Sequence, residues 1–235
     1  QVEKRSCLAR WFINRAYAAQ VLRLHNNQEL DEYYDSNVFS VMREKIGLDR
    51  LAIALSGGAP CPSYVAVFMK VLLGPRAFFT EGYGMTECSA GAAVSDPKDK
   101  GCGSVGCPLA CNDMKLMDLP EMGYVSTNTP PTGEVLLSGP NVFQGYYKDP
   151  EATAATVIVD EDGRRWLRTG DVGRINPNGS FSIIDRAKQL IKLAQGEYVP
   201  IEKVEDVYGQ SPLVSQIRCY GNAYKPFLVA IVVPN

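Results

Sequence analysis

The chain has 235 residues, 46% apolar and 21% charged, an ordinary globular balance sufficient for one large domain or two modest ones. A net charge of −2 gives no basic field for nucleic acid and no polybasic membrane patch, although local Lys, Arg or backbone N–H groups can still bind an anion. Seven cysteines in a chain of this size read as reduced thiols, and the single histidine, His25, in a polar helix-end context with no G-x-S-x-G elbow in the sequence, argues against a Ser-His triad.

Gln1 opens the chain without a leader pattern, so a fragment or processed product is expected. Residues 3–25 read as a helix whose apolar positions Leu8, Trp11, Phe12, Ala16, Ala19 and Leu22 keep helical spacing. Arg10, Arg15 and Arg23 interrupt the run and keep it short of a membrane span. A helix packed on a core is favoured over one lying on a membrane surface. A second helix is expected over 38–46. Residues 51–55 read as a buried strand, Ser56-Gly57-Gly58-Ala59-Pro60 as a loop, and Pro62 as the first turn of a helix reaching 73. Strand, glycine-rich loop and helix in succession set ligands at strand ends. A second strand at 77–80 runs into the polar loop Glu81-Gly82-Tyr83-Gly84-Met85-Thr86-Glu87.

From 103 to 184 the texture is β-rich, with strands expected near 113–118, 134–138, 172–176 and 180–185. Asp149-Pro150-Glu151 supplies an N-cap, a first-turn proline and a first-turn acid for one helix within it. Cys102, Cys107 and Cys111 lie close together, but C-x4-C-x3-C is not zinc spacing. Past Asp185 a strand at 189–193, a helix at 201–208 and strands at 214–220 and 227–233 are expected, with a domain boundary at 185.

Three polar clusters carry residues suited to a nucleotide. In Tyr83-Gly84-Met85-Thr86-Glu87 the glycine permits close approach, the ring can stack on a base, the hydroxyl can reach a phosphate, and the carboxylate can hold Mg²⁺. In Arg168-Thr169-Gly170-Asp171 the acid can accept from neighbouring hydroxyls, as on a ribose. Arg186, Lys188 and Lys192 flank the expected boundary. Alone, the first is equally a polar turn, while an ordinary β-turn and a solvated basic face are the favoured readings of the second and third.

Their order, with Ser56-Gly57-Gly58-Ala59-Pro60, Thr132-Gly133-Glu134 and Asp185-Arg186 in series, resembles the adenylate-forming superfamily of acyl-CoA synthetases, luciferases and peptide-synthetase adenylation domains. Pro120-Glu121-Met122-Gly123-Tyr124, Gly139-Pro140-Asn141-Val142-Phe143-Gln144-Gly145-Tyr146-Tyr147 and Gln195-Gly196-Glu197-Tyr198-Val199 look like eukaryotic long-chain fatty-acid–CoA ligases. The resemblance implies an α/β fold plus a β-rich subdomain: residues 1–110 end the α/β part, 111–184 form a β-rich barrel-like part, Asp185 is a hinge, and 186–235 begin a small α+β C-terminal domain. It implies that Gly57, Gly58, Ala59 and Pro60 lie against adenine, Tyr83 stacks on it beside Gly84, Thr86 contacts the α-phosphate and Glu87 binds Mg²⁺. Asp171 would hold the ribose hydroxyls and Arg186 make a further nucleotide contact. Lys192 would act in thioester formation and Gly196 line the CoA channel. ATP, CoA and a fatty acid are the implied small-molecule partners, at a cytoplasmic site or the cytosolic face of an organelle membrane, with peripheral membrane association of the longer protein. An aryl or medium-chain acid as substrate, and a non-catalytic AMP-binding relative, are the competing readings. The family's Gly/Ser/Thr-rich phosphate loop and its C-terminal adenylation lysine are absent from these 235 residues, so the piece alone is expected to be inactive.

Overall fold

The computed structural model describes residues 7–186 and 190–235. The expected start of the first helix at residue 3, the basic residue Lys188 and the strand start at Gln189 lie outside them. The chain divides into two compact units, Gln1–Asn112 and Asp113–Asn235.

In the first unit, helix α1 (Cys7–His25) buries Ala16, Gln20 and Leu24 and packs with Phe12, Ile13, Tyr17 and Val21 on Phe39 and Val71. The buried face differs from the expected stripe, since Leu8, Trp11 and Leu22 are exposed. Gln20 holds that face by exchanging hydrogen bonds with the backbone of Asp31, which a purely apolar pattern does not register. Asp31 then caps α2 (Glu32–Tyr34), a π-helical stretch follows at Asp35–Phe39, and α3 (Ser40–Ile46) completes the run to a left-handed Gly47. The helix thus begins six residues before the expected 38. Ser36, Asn37 and Ser40 each return a side-chain hydrogen bond to a carbonyl four residues back, which suits the widened turn.

Strand β1 (Ile53–Ser56) leads to α4 (Ser63–Leu73) and then to β2 (Phe78–Tyr83), parallel to β1, with Ser56 opposite Glu81. Contrary to the expected buried strand, Ile53 and Leu55 are exposed. β1 is the edge of its sheet, and only Ala54 joins the small core of Ala66, Leu73, Ala77 and Phe79. Strands β3 (Ala93–Val94) and β4 (Cys107–Pro108) extend the sheet antiparallel. A buried ion pair and a half-buried lysine brace this unit. Arg43 forms a two-pronged pair with Asp35 and also donates to Leu72 O. Lys70 donates to the carbonyls of Asp99 and Gly101.

The second unit opens with β5 (Asp113–Met117) and β6 (Thr132–Ser138); α5 (Pro150–Thr156), capped by Asp149, precedes β7 (Val157–Val159). The long strand β8 (Arg165–Ile175) pairs with β6 on one side, and with β7 and then β9 (Phe181–Arg186) on the other. Val135, Leu136, Leu137, Leu167 and Val172 are buried, as the central strands of such a sheet require. Two hairpins follow: β10 (Leu190–Lys192) with β11 (Tyr198–Pro200), and, after α6 (Ile201–Gly209), β12 (Val214–Tyr220) with β13 (Val229–Pro234). No helix of the described residues is long and apolar enough to cross a membrane.

Candidate functional site

In the first unit, the two glycine-bearing loops leave the carboxyl ends of the adjacent parallel strands β1 and β2, the position at which open α/β sheets take ligands. Gly57 sits against β2: a Cβ there would lie 3.1 Å from Gly82 O. Gly58 takes φ +82°, and Ala59 and Pro60 are exposed. Tyr83 ends β2 opposite Ala93, and its carbonyl accepts from Ala92 N–H at 2.8 Å. Gly84 is the tightest point, since a Cβ would fall 1.7 Å from Ala90 O. Thr86 and Glu87 begin a single 3₁₀ turn, Thr86–Cys88. Cys88, buried behind them, exchanges hydrogen bonds with the backbone of Met85 at 3.3 Å, and burial pushes its thiol above the usual range. Below the loop, Glu81 accepts from Gly103 N–H at 2.9 Å; burial raises its carboxyl despite that bond and the charge of Lys70. The sequence-predicted Gly57–Pro60 and Tyr83–Glu87 clusters are therefore brought to one end of one sheet.

In the second unit, Asp171 and Arg186 face each other across β8 and β9, joined at 3.0 Å from Arg186 Nε to Asp171 Oδ1. Asp171 is buried and Arg186 half exposed. Asp185, one residue back on β9, accepts from the hydroxyl of Tyr124 at 2.6 Å. Lys192 lies on the separate β10–β11 hairpin, its ammonium 5.3 Å from the Tyr198 ring, so it is not gathered with Asp171 and Arg186 in one sheet. Gly196, φ +88°, turns that hairpin between Gln195 and Glu197, which line an apolar cavity of about 520 Å³ with Val199, Val204 and Phe227. Sequence reasoning noted Tyr124 and Glu134 only as members of motifs. Their contacts, Tyr124 to Asp185 and Glu134 to the turn at 168–170, span 34 to 61 residues and leave no local signal.

Comparison with known proteins gives these residues a setting. A profile of the family described as AMP-binding enzyme matches residues 12–147. Human long-chain-fatty-acid–CoA ligase 1 is 42% identical over 229 residues, covering 97% of this chain and 32% of that protein. Fatty acyl-CoA synthetase A of Dictyostelium discoideum is 44% identical over 97% of this chain and 32% of its own. Among solved structures, the A domain of the Segniliparus rugosus carboxylic acid reductase, in complex with AMP and a co-purified carboxylic acid, superposes with a TM-score of 0.68. It is 31% identical over 96% of this chain and 33% of that one. The Bacillus subtilis O-succinylbenzoate coenzyme A synthetase, in complex with ATP and magnesium ion, gives 0.60 at 27% identity, over 77% of this chain and 36% of that one. The chain spans about a third of the length of the curated relatives it matches.

Proposed function

This chain belongs to the AMP-binding enzyme family, and we propose that it is part of an ATP-dependent long-chain fatty-acid–CoA ligase that forms an acyl-adenylate and then an acyl-CoA. The observation that carries the acyl class is the 39–44% identity, over most of this chain, with proteins named as fatty-acid–CoA ligases. The placement of the glycine loops at the carboxyl ends of β1 and β2 supports nucleotide binding.

A carboxylate resists direct attack by a thiol because its leaving group would be oxide. Displacement of pyrophosphate from ATP by the carboxylate oxygen gives a mixed anhydride with AMP. The CoA sulfur then attacks the acyl carbonyl, and AMP leaves with the electron pair of the broken C–O bond. The first step brings an anion to a polyphosphate, so positive charge must offset the repulsion. On one turn, the Glu87 carboxylate is a hard oxygen donor that suits Mg²⁺, and the Thr86 hydroxyl is placed to reach the α-phosphate. Mg²⁺ held there would neutralise phosphate charge. Tyr83 offers a ring for adenine where Gly57, Gly58 and Gly84 let the backbone come close. In the second unit, Asp171 accepts from ribose hydroxyls, with Arg186 fixing its carboxylate. Asp185 serves as the hinge, Lys192 acts in the thioester step, and Gly196 lines the path of the CoA arm.

The test separates the half-reactions in the complete ligase. Glu87→Gln is expected to lower fatty-acid-dependent pyrophosphate release on the order of 10²-fold, while sparing thioester formation from supplied acyl-adenylate. Lys192→Ala is expected to do the reverse. Equal losses in both half-reactions overturn the division of labour, and a wild-type enzyme that adenylates aryl acids but no long-chain acid overturns the substrate class.

A further inference from the structure

We infer that Glu134 is a positioning residue for Asp171, and that its buried carboxylate sets how well the site distinguishes ribose from deoxyribose. The inference rests on the reading of Asp171 as the acceptor of ribose hydroxyls.

Between β6 and β8 the register steps from Glu134 opposite Val172 to Leu136 opposite Arg168. Val135 alone therefore faces Thr169, Gly170 and Asp171, and Gly170 takes φ +73°. Such a bulge bends its strand and frees backbone groups from the ladder. Side chains replace the lost bonds. Gly170 N–H donates to Glu134 Oε1 at 3.1 Å, and the Thr169 hydroxyl donates to Val135 O at 2.8 Å. Asp171 N–H in turn donates to Thr169 Oγ1 at 3.1 Å. Glu134 Oε2 accepts from Arg168 Nη2 at 2.7 Å and from Nε at 3.3 Å.

Glu134 is only 3% exposed, and a carboxylate so buried is tolerated because both oxygens are engaged. A glutamine could still accept from Gly170 but would turn an NH₂ group toward the Arg168 guanidinium, donor against donor. The charge is therefore matched to Arg168, and the geometry to Gly170. On the opposite side, Arg186 holds Asp171. The bulge thus aims the Asp171 carboxylate from the β6 side, with Glu134 as its anchor.

The experiment compares KM for ATP with KM for 2′-deoxy- and 3′-deoxy-ATP in the complete ligase and its Glu134→Gln variant. The variant is expected to raise KM for ATP on the order of tenfold, the worth of one hydrogen bond to a charged group, and to leave at least one deoxy analogue unchanged. A general loss of structure would raise all three together and overturn the inference. So would a variant that discriminates as the wild type does. A wild type without discrimination overturns the ribose reading of Asp171 itself, and the inference with it. Where Glu134→Gln does not fold, Thr169→Val cuts the tie to Val135 instead. It is expected to lower the same ratio, and an unchanged ratio counts against the proposal.

Discussion

The hydroxyl of Tyr124 and the carboxylate of Asp185 meet at 2.6 Å, joining residues 61 apart in sequence. Burial first, and the bond to Asp185 second, push the phenol above its ordinary value of 10.0. The folded state therefore holds this proton more tightly than the unfolded chain. Its contribution to stability is fully present below the ordinary tyrosine range and fades as pH rises through it toward the folded value. Tyr124→Phe is expected to cost about 1 kcal/mol at neutral pH and to flatten the alkaline limb of the stability curve. Denaturant melts at stepped pH check this, and an unaltered limb would remove the bond from consideration.

Asp35 and Arg43 form a pair whose side chains are 9% and 7% exposed, with Leu72 O as a third partner. Asp35→Asn leaves a buried guanidinium uncompensated and should destabilise the first unit by about 3–5 kcal/mol. Gly74 closes over the pair: it takes φ +68°, and a Cβ would meet Asp35 Oδ1 at 2.3 Å. Gly74→Ala should therefore lower the thermal midpoint as well, and a double variant should lose less than the sum. Additive losses in calorimetry would show the two to be independent.

Two glycines of the nucleotide loops should behave differently. At Gly84 an added methyl collides with the backbone of Ala90, so Gly84→Ala has to move the Thr86–Cys88 turn. Pyrophosphate release should fall on the order of 10²-fold. Gly58 meets nothing within 4 Å and pays only for its left-handed backbone, about 1–2 kcal/mol. Gly58→Ala should leave the Thr86–Cys88 turn in place and act on KM for ATP rather than on the maximal rate; equal losses of maximal rate would show that space at Gly84 is not what matters.

The Asp160 carboxylate accepts from Trp166 Nε1 at 2.7 Å, and this bond, with the Arg164 N–H, holds it below the ordinary value of 3.8. A depressed folded value means the contribution is present above the ordinary range and is lost as pH falls through the folded one. In a Trp11→Phe background the emission of Trp166 should shift only at the acid end. Asp160→Asn should move that shift or abolish it, and an indole signal insensitive to both would disprove the coupling.

The family resemblance carried by the ordered motifs is borne out by the relatives, and local signals are legible in the sequence. Helix α5 was announced by its cap at Asp149, and the β12 strand matches 214–220 residue for residue. Non-local structure was less legible. β8 is twice its expected length because Gly170 and its polar neighbours look like a turn, while the bond Gly170 N–H lacks in the ladder is supplied by Glu134, 36 residues away. The motifs mark Asp171 and Arg186 separately as nucleotide contacts, but their ion pair depends on the β8–β9 register, which no single motif encodes.

Strand β13 pairs only with β12 among the described residues, and its Val229, Ile231, Val232 and Val233 are all exposed. An open row of amides and carbonyls flanked by β-branched residues invites another strand of the same kind. Preparations of this 235-residue polypeptide should therefore grow turbid with concentration, and Ile231→Lys should clear them.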